Sequence, residues 1–354
     1  MYGHEGTGQS SSLIDGIAIQ TDEKAGLECD LTRKPSRATR RRMLPDGADA
    51  ALRKLDLSDI ESQKWWQPVR SAALVHGCTF AAMLAVGAVV ERTPIGGTLL
   101  AVGASIALAP LYRGLENLVH GASHSDILGG AGKFLGRRRR DVNDWVGNLI
   151  AAAPVGQDVD AFRKGHVRDH HVGFDTERDP CRLRMMRHPD TVKGNLPSLA
   201  GTLRQMPRET IAFYRIARGN RRTVLRGFIW HLLFMVAPAA TVIGWSPAAS
   251  AWSMIFLPLF TLTLPTVRTL AEAGEHDYRA QSAGLSVLER TFAHEGIGNR
   301  LIHLFGDDRH PEHHLWPGVP QYHLRKAHQR ALACGFGDLL RRRTSILGPV
   351  EPQA

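Results

Sequence analysis

Four runs of apolar residues without a formal charge constrain this chain more than any other feature. Ser71 to Val90 is twenty residues long, enough to cross a hydrocarbon layer of about 30 Å at about 1.5 Å per helical residue. Glu91 to Gly97 reads as a short turn. Thr98 to Tyr112 continues as a second apolar helix, which Gly96-Gly97 would break near its start. Gly227 to Trp245 and Ala249 to Val267 form a clearer second pair, joined by the turn Ser246-Pro247-Ala248. Pro238, Pro258 and Pro265 are tolerable there, because neighbouring membrane helices re-satisfy the freed backbone groups. For the first pair, rich in Ala and Gly, a core hairpin of a soluble protein is the alternative. The four runs together predict an all-α integral membrane fold, with four transmembrane helices in two hairpins.

The charges give the hairpins an orientation. The short turns between paired helices hold a single cation, Arg92, whereas the opposite side collects the 33–42 run, Arg137 to Arg140, the 215–226 group and Arg341 to Arg343. Because cytoplasmic loops are the basic ones, both termini and the long middle segment are expected in the cytoplasm, as in a bacterial inner-membrane protein. A net charge of +10 suits nucleic acid or an anionic membrane surface equally well. No interleaving of aromatic and basic residues accompanies it, so nucleic acid is not expected as a partner. The chain divides into a disordered basic tail over 1–45, an interfacial helical segment over 46–70 with Trp65-Trp66 as an anchor, a membrane domain over 71–330, and a basic C-terminal helix and tail over 331–354. The polar first thirty residues do not read as a signal peptide. Cys29, Cys78, Cys181 and Cys334 are too scattered for a disulfide framework or a zinc knuckle, and fit a reducing compartment.

The chemistry lies in the histidines. Eight of the 17 fall in three clusters, His120-x-x-x-His124, His166-x-x-x-His170-His171 and His310-Pro-Glu-His313-His314. Adjacent residues on a helix diverge by about 100°, so His170-His171 and His313-His314 cannot each serve one compact site from the same side. They can serve two metals side by side. All three clusters fall on one side of the four spans, and His276, just beyond the fourth span, joins them as a ninth candidate. Nine imidazoles divide into four and five. A structural zinc site needs only four ligands, usually with cysteine, while imidazole also suits iron, copper and nickel. Glu275 and Glu312, each beside a ligand candidate, are expected to accept an imidazole N–H from outside the ligand shell. Glu272, one turn before His276, is expected to act there too, with direct coordination as the alternative. The remaining histidines, among them His76 and His231 inside spans and His328, read as structural or solvated, and a membrane metal carrier without redox turnover is the rival function. A carrier, however, places its ligands near mid-membrane.

These residues resemble the membrane fatty acid desaturase superfamily. His310-Pro-Glu-His-His-Leu-Trp-Pro-Gly-Val-Pro-Gln-Tyr322-His-Leu324 is similar to its third histidine box and the Pro-x-x-Pro-x-Tyr-x-Leu tail. His120-Gly-Ala-Ser-His124 resembles the first box, and Arg163-Lys-Gly-His166-Val-Arg-Asp-His170-His171 with Asp179-Pro180 the second. The likeness covers about residues 70–330. It implies four membrane helices under a cytosolic helical cap that carries the boxes. It also implies two non-haem iron ions held by His120, His124, His166, His170, His171, His276, His310, His313 and His314. Dioxygen-dependent removal of two hydrogens from a lipid acyl chain is the implied reaction. The second box has three residues between its first two histidines where most desaturases have two; that spacing, with Glu275-His276, resembles the alkane hydroxylase branch, so hydroxylation or ketolase chemistry is the alternative. No His-Pro-Gly-Gly haem motif is present, which implies a separate ferredoxin, rubredoxin or b-type cytochrome with its reductase as electron donor. The Arg-rich face including Arg137 to Arg140 is where an acidic partner would dock.

Overall fold

The computed structural model describes residues 64–128, 137–182, 221–278 and 286–334, with short pieces within 52–60, 133–134, 192–208 and 342–351. The tail over 1–45 lies outside them. Helices dominate, and every strand among the described residues is two residues long.

Four helices are long and apolar enough to cross a membrane: α1 (Trp66–Val90), α2 (Pro94–Ser123), α5 (Arg221–Ile243) and α6 (Trp245–Glu272). The cap is built from α3 (Arg139–Gly147), α4 (Val159–Arg163) with the π-helical turn Lys164–His171 that continues it, α7 (Ile297–Ile302), α8 (His310–Leu315) and α9 (Leu324–Ala333). The four long helices share one core of small and aliphatic side chains, including Val75, Met83, Leu108, Ala239, Ala251 and Ile255. Their outer faces keep Leu74, Leu99, Leu233, Phe234 and Leu257 exposed. A ring of large apolar side chains around a bundle is the mark of a lipid-facing surface.

Both turns differ from their sequence reading. Gly96-Gly97 does not break α2; the helix starts at Pro94 and runs through both glycines. A Cβ on Gly97 would stand 2.6 Å from the Val90 Cα, so glycine is what lets the two helices meet this closely. The second turn is not 246–248. It is Gly244 alone, whose φ of +87° breaks the helix and lets α6 start at Trp245. The second helix also overruns its apolar stretch by three turns, to Ser123, because its last part is buried on all sides beneath the cap.

Residues 148–156 dip between the spans. Ala151, Ala152, Ala153 and Val155 are buried in the bundle core, and this irregular backbone needs partners for its carbonyls. His76 of α1 bonds the Ile150 carbonyl at 2.9 Å and His231 of α5 bonds that of Pro154 at 3.0 Å. The two intramembrane histidines are therefore structural clamps.

Leu52, Leu55, Leu57 and Ile60 bury against Leu315, Trp316, Val319 and Leu324, so this part of the expected interfacial segment belongs to the cap core. Trp65 and Trp66 are exposed at the head of α1. Past α9, within the stretch expected as a basic C-terminal helix and tail, Arg342–Arg343 pairs in parallel with Ala293–His294. Cys334 is disulfide-bonded, although the scattered cysteines do not read as a disulfide framework.

Candidate metal centre

The nine histidines converge in two groups. His120, His124, His166, His171 and His313 form the first, and His170, His276, His310 and His314 the second; within each, the ligand atoms lie within 4.8 Å of one another. Adjacent histidines part company as their divergence requires: His170 goes to one group and His171 to the other, and His313 and His314 do the same.

The second cluster explains its own spacing. His171 follows His166 by five residues, which is about 1.4 turns of an α-helix and would turn the rings apart. Lys164–His171 is instead a π-helical turn, whose wider i→i+5 winding brings His171 back towards the side of His166. Their Nε2 atoms stand 2.8 Å apart. The additional residue in this box is absorbed by the wider turn.

In the first group His120 Nε2 lies 2.8 Å, and His171 Nε2 2.9 Å, from His313 Nε2. In the second, His276 Nε2 lies 3.1, 3.0 and 3.2 Å from the Nε2 atoms of His170, His310 and His314. Imidazole nitrogens bound at about 2.1 Å to one ion would stand about 3 Å apart, a spacing these separations fit. Burial first, and neighbouring histidines second, hold His124, His166, His171, His276, His313 and His314 well below the ordinary histidine range. Neutral rings with their lone pairs aimed at one another repel unless a cation lies between them. The buried His124 Nε2 has no hydrogen-bond partner. The donor set fits two metal ions.

Tautomers are fixed from behind. His170 Nδ1 donates to Asp179 at 2.9 Å, and Asp179 also takes the Tyr278 hydroxyl and the Asp175 backbone N–H. Burial lowers His170, but Cys181 and Asp179 outweigh it and raise it to about 10. His276 Nδ1 donates to Thr291 Oγ1 at 3.0 Å, because that hydroxyl's own proton is given to the Val287 carbonyl. His120 Nδ1 faces Asp307 at 3.3 Å. His310 is pushed down to about 4 by burial, against the pull of Glu275 and Asp307.

The acidic residues divide by role. Glu275 lies 3.8 Å from His310 Nε2. Glu312 contacts His328 instead of a ligand candidate, so His328, read as an isolated histidine, is the partner of that carboxylate. Glu272 lines the cavity between the two histidine groups. Arg113 was not singled out in the sequence. Its guanidinium lies 3.4 Å from both Glu275 and Asp307 and 3.6 Å from Glu116. One buried cation thus ties the support of His120 to the support of His310. Asp307 and Thr291 were missed as well; an acid three residues before His310 was the only available signal.

A cavity of about 180 Å³ opens between the two groups. His120, His166, His170 and His310 reach it from both groups, Phe162, Gly165, Pro180 and Cys181 give it an apolar wall, and Arg113, Glu272, Glu275 and Asp307 close it.

Four long apolar helices and a cap that buries two histidine groups define a membrane protein with a histidine-built metal centre. The model of the fatty acid desaturase family matches residues 97–344, from the head of α2 through all three histidine clusters. The chain belongs to that family, whose members use iron for oxidoreductase chemistry on lipids. No curated protein matches it.

Proposed function

We propose that this protein is a membrane-bound, dioxygen-dependent desaturase acting on a lipid acyl chain, with the nine histidines holding two iron ions. The observation that carries the reading is the cavity: an apolar wall faces both histidine groups at once, as a methylene pair awaiting oxidation requires. Bound iron supplies the oxygen-activating redox chemistry that takes hydrogen from an unactivated C–H bond. His120, His124, His166, His171 and His313 would hold one ion, and His170, His276, His310 and His314 the other. Asp179, Thr291 and Asp307 keep the Nε2 lone pairs of His170, His276 and His120 turned inward. Phe162 and Pro180 position the chain and exclude water. Glu275 and Glu272 stand outside the ligand shell, and Glu312 steadies the third cluster through His328. In this reading the cap and both termini face the cytoplasm, a separate ferredoxin, rubredoxin or b-type cytochrome delivers electrons, and residues 71–330 form the catalytic domain.

Hydroxylation is the second reading, favoured by the widened second box and the charged side of the cavity. Mass spectrometry of lipids from expressing cells grown under oxygen-18 separates the two. A product two mass units lighter and free of label supports desaturation. A labelled oxygen atom in the product overturns it in favour of hydroxylase or ketolase chemistry.

A further inference from the structure

A second cavity, of about 280 Å³, lies outside the metal centre, and its lining includes Arg300, His303, Phe305, Gln321 and Arg325. Its chemistry is cationic. Arg325 gives two hydrogen bonds to Asp308, at 3.1 and 2.7 Å, so their charges cancel and the net positive charge of the lining is that of Arg300. Arg300 is exposed and makes no ion pair among the described residues. One further lining residue, His303, is buried with its Nε2 unanswered, while its Nδ1 lies 3.7 Å from Asp307. Buried polar groups of a folded protein are normally paired. The chain also adopts costly backbone here. Phe305 has a φ of +64°, rare for an aromatic residue. Gly306, at +98°, admits the Gln321 carbonyl to a place where a Cβ would stand 2.2 Å away.

The position of the cavity selects the anion. Tyr322 donates to Ser71 at the head of α1, about one and a half helical turns inside the exposed Trp65-Trp66 pair. Asn117 of α2 donates to the Leu304 carbonyl at 2.9 Å, and Phe305 packs over Gly114. The cavity therefore sits at the cap-side ends of the spans, where lipid phosphates lie. On α7, the helix that supplies Arg300, Ile297 and Leu301 are 82% and 56% exposed. They lie one turn apart, as one apolar stripe. A soluble anion has no use for that stripe, whereas the acyl chains of a phospholipid do.

We propose that this cavity binds the phosphate of an anionic phospholipid, with Arg300 as its free cation, Arg325 beside it, and Ile297 and Leu301 against the acyl chains. Occupation would also steady the 303–309 loop. His303 lies 3.7 Å from Asp307, the carboxylate behind His120, so a resident lipid braces the metal centre from outside it.

The test reads lipid and not turnover, so it stands or falls separately from the proposed reaction. The full-length protein, as purified and after transfer to nanodiscs, is compared with Arg300→Glu and Arg300→Lys. Native mass spectrometry counts bound phospholipid, and thermal unfolding is followed in phosphatidylcholine with and without phosphatidylglycerol. The proposal expects about one tightly held anionic lipid and a higher unfolding temperature with phosphatidylglycerol. Arg300→Glu should lose at least tenfold in retention and Arg300→Lys should recover most of it, with iron content equal in all three. Equal retention by the wild type and Arg300→Glu overturns it. So does displacement of the lipid by millimolar inorganic phosphate, which would make this a soluble-anion site.

Discussion

The two histidine groups are built from different parts of the molecule. The first hangs on the membrane bundle: His120 is on α2 and His124 caps it. Behind them Arg163 donates to the Ser123 carbonyl at 2.7 Å and pairs with Asp144. The second is built in the cap. His276 sits in a turn, held by a bridge to Thr291, and His170 leans on Asp179 from the segment just beyond its own π-turn. His170, His276, His310 and His314 are all buried, whereas His124 and His166 are half-buried. The rooted group can rely on a long helix for its geometry. The cap group has no such frame; hydrogen bonds from behind hold His170 and His276, the two rings that lie outside α8. Removing a brace should therefore damage the second group more than the first.

The largest expected effect strikes the seam between them. His313 belongs to the first group but shares α8 with His310 and His314. His313→Ala should abolish turnover, with the protein still in the membrane fraction. Full turnover would dismiss it as a ligand. Next comes Arg113, which serves both groups. Arg113→Gln leaves Glu275 and Asp307 buried without their arginine, while Glu116 keeps Arg268, at a cost of about 3–5 kcal/mol. Thermal unfolding in detergent should show that loss and Arg113→Lys should restore part of it; an unchanged midpoint would mean the two supports are independent.

Asp179→Asn tests the contrast itself. It should weaken metal retention about 10–100-fold in the second group alone, so iron per chain falls towards half while His120 and His313 keep theirs. Equal loss from both groups would erase the distinction drawn here. The smallest effect is in pH. His170 is raised to about 10 in the metal-free protein, so a metal must displace its proton and apparent affinity should rise about tenfold per pH unit up to that value. Without metal the sign reverses: the raised His170 favours the folded state at low pH, and that contribution is lost as pH rises through about 10. Metal titrations at several pH values, followed by unfolding of the stripped protein, check both arms.

Sequence alone was enough for the parts whose determinants are local. A charge-free run of membrane length must be a helix, because no other open structure satisfies its backbone in lipid. Paired histidines on one turn must diverge, which announced two groups before any coordinates. The helix ends were less legible. Gly244 and not Pro247 makes the second turn, since left-handed backbone is a property of one residue in its place, and α2 overruns its apolar run because burial, not hydropathy, sustains it. Tertiary structure decided what backs the ligands. Arg113 meets Glu275 and Asp307 across 162 and 194 residues, and Glu312 finds His328 instead of a ligand candidate. Charges that far apart in sequence carry no period or spacing to betray them. Only the packing of the cap onto the bundle brings them within reach.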